Sequence, residues 1–202
     1  VNEMTRDLPF LHAYLDDFLV ASKSLLQHKQ HLDELFKRLE EYGLVINQAK
    51  CEFFREDIEF LGHKISSKGI EPLSAKVEAM RNFPPPTSHR QLKKFLGMVN
   101  FYRRFGRGFA PRLAPLYDLE KARKWSWPPA AQRAFDDVKR ALSELTRLAC
   151  FVPDAPIQLV TDASDTAMGA TLHQIVEGEI RPLGFFSKSF SDAEKKYSTF
   201  DR

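Results

Sequence analysis

Two short apolar runs near the start of the chain, residues 8–13 and 18–21, flank the sequence Tyr14-Leu15-Asp16-Asp17. Apolar runs of this length on either side of a short polar break are typical of the two arms of a β-hairpin. The pattern therefore predicts a hairpin that carries two adjacent carboxylates at its turn.

A helix is predicted directly after this hairpin. Leucines recur at helical spacing over residues 24–42, and Gly43 occupies the position of a C-terminal cap. The first third of the chain thus predicts a small sheet covered by one helix. The strand-type segments that follow the helix are residues 44–46, 51–54 and 58–65.

The middle of the chain has helical periodicity that is broken at Pro84-Pro85-Pro86. A short helix over residues 74–83 must end before these prolines, because the residue ahead of a proline is pushed out of helical geometry. The next predicted helix has an apolar stripe on one side and cationic residues on the other. A further helix is predicted over residues 130–145. The apolar stripe consists of Leu92, Phe95, Leu96, Val99, Tyr102 and Phe105.

The last third of the chain changes character. Residues 157–161, 169–174 and 183–188 predict three strands joined by turns such as Glu177-Gly178, and Ser191-Asp192 opens a predicted helix. Because this βββα order differs from the first unit, the fold class expected for the whole chain is α+β.

The overall composition is that of an ordinary globular protein, with 202 residues of which 43% are hydrophobic and 28% charged. No apolar run reaches the roughly 18 residues that a membrane span needs, so no membrane association is expected.

Cys51 and Cys150 lie in no metal-ligand or disulfide spacing, which predicts two buried, reduced thiols.

Positive charge is concentrated in one stretch, although the formal net charge is only +3. Residues 79–117 contain no Asp or Glu, which is the usual electrostatic signature of a surface that binds a polyanion. A solvated face on a helix that packs on the core is the alternative interpretation. The basic residues of this stretch are Arg81, Arg90, Lys93, Lys94, Arg103, Arg104, Arg107 and Arg112.

Asp16 and Asp17 are the candidate metal ligands. Neighbouring side chains on a regular strand point to opposite faces, so only a turn would let both carboxylates approach one point. Phosphoryl-transfer enzymes commonly bind Mg²⁺ with one or two carboxylates together with the substrate phosphates. An exposed Asp-Asp turn is also a common, solvated way to reverse a chain, and the hairpin alone leaves both interpretations open.

Several motifs follow one another in a fixed order along the chain, and together they resemble the polymerase polyprotein of gypsy-type long-terminal-repeat retrotransposons and related retroviral elements. The resemblance covers essentially the whole chain. Its motifs are Tyr14-Leu15-Asp16-Asp17, Asn47-Gln48-Ala49-Lys50-Cys51-Glu52-Phe53, Phe60-Leu61-Gly62-His63-Lys64-Ile65-Ser66 with Gly69-Ile70, Leu92-Lys93-Lys94-Phe95-Leu96-Gly97, Asn100-Phe101-Tyr102-Arg103-Arg104-Phe105, Thr161-Asp162-Ala163-Ser164 with Gly169-Ala170-Thr171-Leu172, and Tyr197-Ser198-Thr199-Phe200-Asp201-Arg202.

This resemblance implies four consecutive parts. Residues 1–72 would be the C-terminal part of a reverse-transcriptase palm, built of hairpin sheet and helix, and residues 73–120 a helical thumb. Residues 121–155 would be the connection, and residues 156–202 a truncated βββα unit at the start of a ribonuclease H-like domain.

The resemblance also implies the chemistry. Such an enzyme performs RNA-directed DNA polymerisation by two-metal nucleotidyl transfer, and its linked domain hydrolyses the RNA strand of RNA–DNA hybrids. Asp16 and Asp17 would be the catalytic metal ligands of the polymerase, and Asp162 the first metal ligand of the ribonuclease H site. The implied ion is Mg²⁺, with Mn²⁺ as an alternative. Lys50 would lie near the phosphates of the incoming nucleotide, although a merely exposed lysine is the plainer interpretation.

Nucleic-acid contacts are implied at the palm, at the strand-turn-strand that holds the primer end, and on the basic helix, which would contact phosphates rather than read bases. Tyr14 can equally be interpreted as an aromatic residue with a structural role. Gly62 can be interpreted as a flexible position in a strand. The implied contact residues are Tyr14, Leu61, Gly62, His63, Arg90, Lys93, Lys94, Arg103, Arg104 and Arg107.

The implied partners are an RNA template, the primer–template duplex, the RNA–DNA hybrid, deoxynucleoside triphosphates and the remainder of the pol polyprotein. By the same resemblance, the location would be a cytoplasmic virus-like particle or the nucleus.

In this family, another palm aspartate and the fingers precede the region that Val1 matches, and a ribonuclease H glutamate follows the region that Arg202 matches. We therefore expect the chain to be an internal piece of a polyprotein, with little or no activity of its own. One alternative is a catalytically inactive nucleic-acid-binding remnant or host-recruited derivative. Another alternative is a helical protein-interaction module.

Overall fold

The computed structural model of the chain describes residues 2–198, with the side chains of residues 4–198. These residues form helices and antiparallel strands, which confirms the predicted α+β class. They divide into two compact units, Val1–Phe60 and Leu61–Arg202, and a separate hydrophobic core lies in each unit. The sequence-based parts, with boundaries after residues 72, 120 and 155, stay predictions.

The first unit contains the predicted hairpin. After a short helix α1 (Asn2–Thr5), strands β1 (Leu11–Tyr14) and β2 (Asp17–Val20) pair antiparallel, with Tyr14 opposite Asp17. Strand β3 (Asp57–Phe60) ends the unit. Its core is formed by buried apolar side chains of the hairpin region and the long helix, namely Met4, Leu8, Leu11, Leu35 and Leu39.

The long helix α2 (Leu25–Glu41) confirms the predicted helix to within one residue at each end. Ser24 caps its start, because the hydroxyl accepts a hydrogen bond from the Gln27 N–H at 3.2 Å. Gly43 follows its end with a φ of 65°, the left-handed backbone that favours glycine at this position. The predicted C-terminal cap is therefore confirmed.

The strands predicted at residues 44–46 and 51–54 are wrong. The described structure there is irregular except for a 3₁₀ turn at Gln48–Lys50. The Asn47 side chain accepts a hydrogen bond from the Ala49 N–H at 3.1 Å, and this local bond competes with strand pairing. Phe54 has a φ of 57°, which a strand residue cannot adopt.

The second unit opens with a hairpin and continues with four helices. Strands β4 (His63–Ser66) and β5 (Gly69–Pro72) pair antiparallel, so the predicted segment 58–65 is two strands, β3 and β4, rather than one. The helices are α3 (Ser74–Arg81), α4 (His89–Tyr102), α5 (Phe109–Lys121) and α6 (Pro129–Ala141).

The predicted break at the triple proline is confirmed, since Pro84–Pro86 lie between α3 and α4. Ser88 begins α4 by accepting a hydrogen bond from the Gln91 N–H at 3.4 Å. Helix α6 ends at Ala141 and continues as a 3₁₀ turn, which shortens the predicted helix over residues 130–145.

The core of the second unit is built on the predicted apolar stripe. All six stripe residues are buried, from Leu92 to Phe105, and the ring centroids of Phe95 and Phe135 are 4.7 Å apart. Aromatic pairs at this distance contribute to packing beyond their buried area. The amphipathic character predicted for this helix is therefore confirmed.

A backbone bridge joins β5 to the segment that follows α6. The Ile70 N–H donates to the Leu148 carbonyl at 2.8 Å, and the Leu148 N–H donates back to the Ile70 carbonyl at 3.0 Å. Gly69 has a φ of 129°, and a Cβ at this position would collide with the carbonyl oxygen of Leu148. Only glycine fits this close approach of two backbones.

The last third forms the predicted three-stranded sheet. Strands β6 (Ile157–Ala163), β7 (Ala167–Val176) and β8 (Glu179–Ser189) pair antiparallel in chain order, and each is longer than predicted. Glu177 and Gly178 form the predicted turn with φ values of 55° and 81°. The buried Gln174 amide ties the preceding loop to this sheet through hydrogen bonds with the backbone of Val152 and Ala155.

The sheet also caps a helix of the same unit. Gly108, ahead of α5, offers no capping side chain, and the buried hydroxyl of Ser187 on β8 accepts a hydrogen bond from the Ala110 N–H at 3.0 Å. The Arg107 guanidinium lies 5.1 Å from the ring centroid of Phe185 on the same strand. The helices and the sheet of the second unit therefore share one core.

Beyond the sheet, the predicted helix is a short 3₁₀ turn at Glu194–Lys196 within the described residues. Ser191 and Glu194 cap each other, since each backbone N–H donates to the other's side chain, at 2.8 and 3.3 Å. The Lys188 ammonium donates to Glu194, and these bonds lower the pKa of that carboxyl to about 2. Residues 199–202 of the last sequence motif lie outside the described residues.

Across the described residues, the helices are too short or too polar to span a lipid bilayer. Both cysteines are free thiols, but Cys51 is half-buried and Cys150 is exposed. The prediction that both thiols are buried is therefore wrong.

Candidate active site and nucleic-acid interface

The two carboxylates predicted to bind metal lie at the tip of the first hairpin. Leu15 and Asp16 form the turn, and Asp17 begins β2. Leu15 has a φ of 51°, a strained backbone for a side chain of this size. Strain of this kind is stored most often at functional sites.

Asp16 and Asp17 are available to a cation. Both side chains are exposed, and neither has a hydrogen bond or ion pair to another described residue. The region described contains no group of three or more His, Cys, Asp or Glu side chains that could hold a metal ion. The hairpin thus offers two carboxylates, which fits a Mg²⁺ ion that takes its other ligands from water and substrate phosphates.

Lys50 and Tyr14 are both exposed. Lys50 ends the 3₁₀ turn that Asn47 caps, so its ammonium group is presented on a defined local structure. Tyr14 stands directly opposite Asp17 in the hairpin register. Their assignments to nucleotide and primer stay predictions.

The predicted primer-holding turn has a left-handed backbone conformation at two consecutive residues. Leu61 and Gly62 have φ values of 47° and 76°, two consecutive left-handed residues as in a type I′ turn. The Tyr102 hydroxyl donates a hydrogen bond of 2.6 Å to the Gly62 carbonyl. Leu61 is exposed, so the outer side of the turn is open to a ligand.

His63 differs from the other predicted contacts because its ring faces the protein. It stacks on Phe101 with ring centroids 5.1 Å apart, and Tyr102 and Phe105 lie against it at 5.8 and 5.4 Å. Burial lowers the pKa of the His63 ring. A hydrogen bond to the Leu61 backbone raises this pKa, and the positive charge of the nearby Arg104 lowers it. A direct contact of His63 with nucleic acid stays a prediction, and the packing favours support of the turn.

The cationic side of α4 is exposed as predicted. Arg90, Lys93 and Lys94 point away from the core, and Arg104 and Arg107 are exposed beyond the end of the helix, while Arg103 is half-buried. None of these six residues forms an ion pair with a carboxylate in the part of the chain that the structure describes. The basic face is therefore free to bind an external polyanion.

Two residues on this face have a functional signal that the charge pattern does not reveal. Gly97 lies inside α4, and a Cβ there would have nothing within 4 Å. Glycine within a helix costs about 1 kcal/mol relative to alanine, so packing gives no reason for it here. Phe101, one turn further along, leaves half of its side chain exposed. A glycine at an open helix surface beside an exposed aromatic leaves room for a ligand to approach the backbone.

Asp162, the predicted first ligand of the ribonuclease H site, lies on β6. It is exposed, stands opposite Gly169 on β7, and has no partner among the described residues. Strand β6 is at the edge of the described sheet and is exposed along its whole length. Its catalytic assignment stays a prediction.

Comparison with solved structures gives the class of fold. The dRH form of the foamy viral protease-reverse transcriptase in complex with double-stranded DNA superposes with a TM-score of 0.88 and 23% identity, covering 99% of this chain and 36% of that one. The foamy viral protease-reverse transcriptase in complex with an RNA/DNA hybrid also superposes with a TM-score of 0.88 and 23% identity, covering 98% of this chain and 27% of that one. The chain has the fold of part of a reverse transcriptase.

Sequence comparison then gives the family. Residues 1–65 match the family described as reverse transcriptase (RNA-dependent DNA polymerase), and residues 127–202 match the RNase H-like domain found in reverse transcriptase. The Tf2-3 and Tf2-7 transposon polyproteins of Schizosaccharomyces pombe are 35% identical over 191 residues, which is 94% of this chain and 14% of each polyprotein.

The chain therefore matches both the reverse transcriptase family and the RNase H-like family, each over part of its length, and is similar to retrotransposon polyproteins, which confirms the resemblance seen in its motifs. It spans 14% of the length of the curated relatives that it matches. Both of its domain families generally use divalent metal ions.

Proposed function

We propose that this chain is the part of a retrotransposon reverse transcriptase that binds the primer–template duplex and carries the paired palm carboxylates. The observation that carries the proposal is the α4 surface. Its apolar side is buried, while its cationic side is exposed and has no carboxylate partner among the described residues. Such a surface binds the phosphates of a duplex without reading its sequence.

The ligands follow from this surface and from the family. An RNA template paired with a DNA primer, a DNA duplex and an RNA–DNA hybrid present the same phosphate charge to α4. The foamy viral relatives of this fold were solved with double-stranded DNA and with an RNA/DNA hybrid, which supports the same ligands here.

Asp16 and Asp17 would hold Mg²⁺, with Mn²⁺ as the alternative, in the complete polymerase. The ion supplies activation of the primer 3′-hydroxyl and charge neutralisation at the triphosphate and the leaving pyrophosphate. The protein contributes two unpaired carboxylates at the tip of the hairpin, and Lys50 would neutralise charge on the incoming deoxynucleoside triphosphate. Asp162 would serve the ribonuclease H site in the same manner.

Polymerisation and RNA hydrolysis would belong to the longer polyprotein. Asp16 and Asp17 supply only part of a metal's ligands, and a triphosphate and further palm residues would complete the site. We therefore propose that the isolated chain binds duplex but extends a primer little or not at all. A location in a virus-like particle or in the nucleus is proposed on the family alone.

The test of duplex binding is the substitution of Gly97. Gly97→Ala is expected to raise the free energy of unfolding by about 1 kcal/mol, because alanine favours the helix and the site has room for a methyl group. It is expected to weaken binding to an RNA–DNA hybrid about tenfold, or 1.4 kcal/mol, because the added methyl group holds the backbone away from the duplex. Thermal unfolding and fluorescence anisotropy measure the two effects.

A gain in stability together with a loss of duplex affinity would distinguish a binding surface from a structural one. Gly97→Gln, with a larger polar side chain, should weaken binding further while the helix stays folded. Unchanged affinity in both variants would show that the duplex does not approach this part of α4.

Metal binding is tested with Mn²⁺, whose paramagnetism broadens NMR signals near the site. Millimolar Mn²⁺ is expected to broaden residues 14–18 in the unmodified chain, and Asp16→Asn with Asp17→Asn should abolish that broadening. The loss is expected because the two carboxylates are the exposed ligands at the hairpin tip.

Asp136→Asn with Asp137→Asn is the matched control. These adjacent aspartates lie on α6, where Gln132 donates to Asp136, and both Arg112 and Arg140 lie 3.6 Å from Asp137. Their substitution should leave the hairpin broadening intact. Duplex binding with no Mn²⁺ effect at residues 14–18 would favour the nucleic-acid-binding remnant instead.

A further inference from the structure

One buried hydroxyl links the Leu61–Gly62 turn to the helix that carries the basic face. The Tyr102 side chain is 4% exposed, and its hydroxyl donates to the Gly62 carbonyl at 2.6 Å across 40 residues of sequence. This bond fixes the orientation of the peptide between Gly62 and His63. Because Tyr102 is the last residue of α4, this bond joins the turn to the end of the helix.

The rings beside this hydroxyl leave the turn little space to move. A Cβ at Gly62 would lie 3.1 Å from Cε1 of Phe101 and 3.5 Å from the Tyr102 hydroxyl, so the rings touch the bare backbone. His63 stacks on Phe101 and meets the edge of Tyr102. The peptide of the turn is therefore held between a hydrogen bond and aromatic packing.

His63 bonds to the turn only locally, through the Leu61 backbone, and does not link the turn to α4 by a hydrogen bond. Its Nε2 atom is buried and has no hydrogen-bond partner within the described structure. Protonation would place an unsatisfied N–H among aromatic rings and beside the positive charge of Arg104, and the pKa of His63 is lowered accordingly. His63 thus contributes packing and a local bond to the Leu61 backbone, and Tyr102 supplies the hydrogen bond that comes from α4.

We propose that Tyr102 is a positioning residue for primer–template binding, whose hydroxyl holds the Leu61–Gly62 turn in a fixed place relative to the cationic face of α4. The turn and the helix then bind one duplex as a single surface, with the turn at the primer end. Tyr102 itself is buried and does not touch the nucleic acid. This inference depends on the proposed duplex binding and adds the residue that orients it.

Tyr102→Phe is the direct test, because it removes the hydroxyl and keeps the ring. The full chain is mixed with an RNA–DNA hybrid that carries a photoreactive 4-thiothymidine at the primer 3′ end, irradiated, and mapped by mass spectrometry. The unmodified chain is expected to cross-link within residues 60–64. Tyr102→Phe should keep the duplex affinity within about twofold but lower that cross-link about fivefold, as expected for loss of one ordinary hydrogen bond.

Tyr117→Phe is the matched control, since its hydroxyl also bonds to α4 without touching the turn. It donates to Oδ1 of Asn100 at 2.8 Å and accepts from Nδ2 of the same side chain at 2.6 Å. This variant should cross-link as the unmodified chain does. Hydrogen exchange without nucleic acid gives a second measurement, in which the amides of residues 61–63 should exchange faster in Tyr102→Phe alone.

The possible outcomes separate the inference from the function on which it rests. Equal cross-linking in all three proteins, or equal loss in both tyrosine variants, would overturn the positioning role. Tight, salt-sensitive duplex binding with no cross-link at residues 60–64 would overturn it as well, and would leave duplex binding by α4 standing. Absence of duplex binding by the unmodified chain would overturn both.

Discussion

Substitution of four basic residues with Gln in one variant is expected to weaken duplex binding about 100–1,000-fold near 100 mM salt. The four residues are Arg90, Lys93, Lys94 and Arg104. The four side chains are exposed and have no carboxylate partner in the described part of the chain. Each phosphate contact that a cation makes releases condensed counterions. Loss of three to four contacts should therefore lower the slope of log affinity against log salt by about 3.

The salt slope is the decisive measurement, because a folding defect lowers the amount of active protein without changing that slope. Anisotropy titrations between 50 and 200 mM salt, with a DNA duplex and an RNA–DNA hybrid, would give it. A variant with the same loss of charge at Lys121, Arg123, Lys124 and Arg133, all exposed in the same unit, is the control and should retain most of the slope. Equal effects of the two variants would mean that net charge, and not the α4 face, drives binding.

Gly69→Ala is expected to have the largest effect on stability, with a loss of about 4 kcal/mol from combined backbone strain and overpacking. The φ of 129° is a conformation that alanine adopts only at high cost, and the new Cβ would collide with the Leu148 carbonyl oxygen. To relieve the collision, the chain must open the paired hydrogen bonds between Ile70 and Leu148. A melting temperature lower by about 8–16 °C would follow for a protein of this size.

Gly184→Ala provides the comparison for thermal unfolding followed by circular dichroism. Gly184 also lies in a strand of the second unit, but a Cβ there would have nothing within 4 Å. Its substitution should change the melting temperature by no more than a few degrees. A Gly69→Ala protein that melts with the unmodified chain would show that the bridge to Leu148 contributes little to the fold.

Elements whose sequence pattern has one strong periodicity were predicted well. Helices α2 and α4 each combine an apolar stripe with a serine at the cap, and both the stripe and the cap are present in the structure. The hairpin around Asp16 and Asp17 was predicted from two short apolar arms, and its register follows from the two-residue turn. Local pattern and local chemistry agree in these places.

Elsewhere, local pattern and structure conflict for identifiable reasons. Residues 44–54 contain enough aliphatic and aromatic side chains to suggest strands, but the Asn47 side chain bonds to its own backbone and sets a turn. Helix α5 has no predicted counterpart of its own because Pro111 and Pro115 mask its spacing. Pro111 is tolerated in the first helical turn, where its missing N–H has no partner to lose.

The candidate site shows the same limit. Composition and spacing were enough to single out Asp16, Asp17 and the basic residues of α4, because charge is visible in a sequence. The bond from Tyr102 to Gly62 joins residues 40 positions apart, and no local pattern encodes it. The openness around Gly97 likewise becomes evident only when the neighbouring atoms are placed.

The hydrogen bond from Ala110 to Ser187 has a consequence for how such polyproteins can exchange modules. Because a hydroxyl on the sheet begins a helix 77 positions earlier, the two regions should unfold in a single cooperative step. Recombination that joined the helices of one element to the sheet of another would lose about 1 kcal/mol wherever this strand position carried no side-chain acceptor. Inheritance of the two regions as one block is the outcome that this coupling favours.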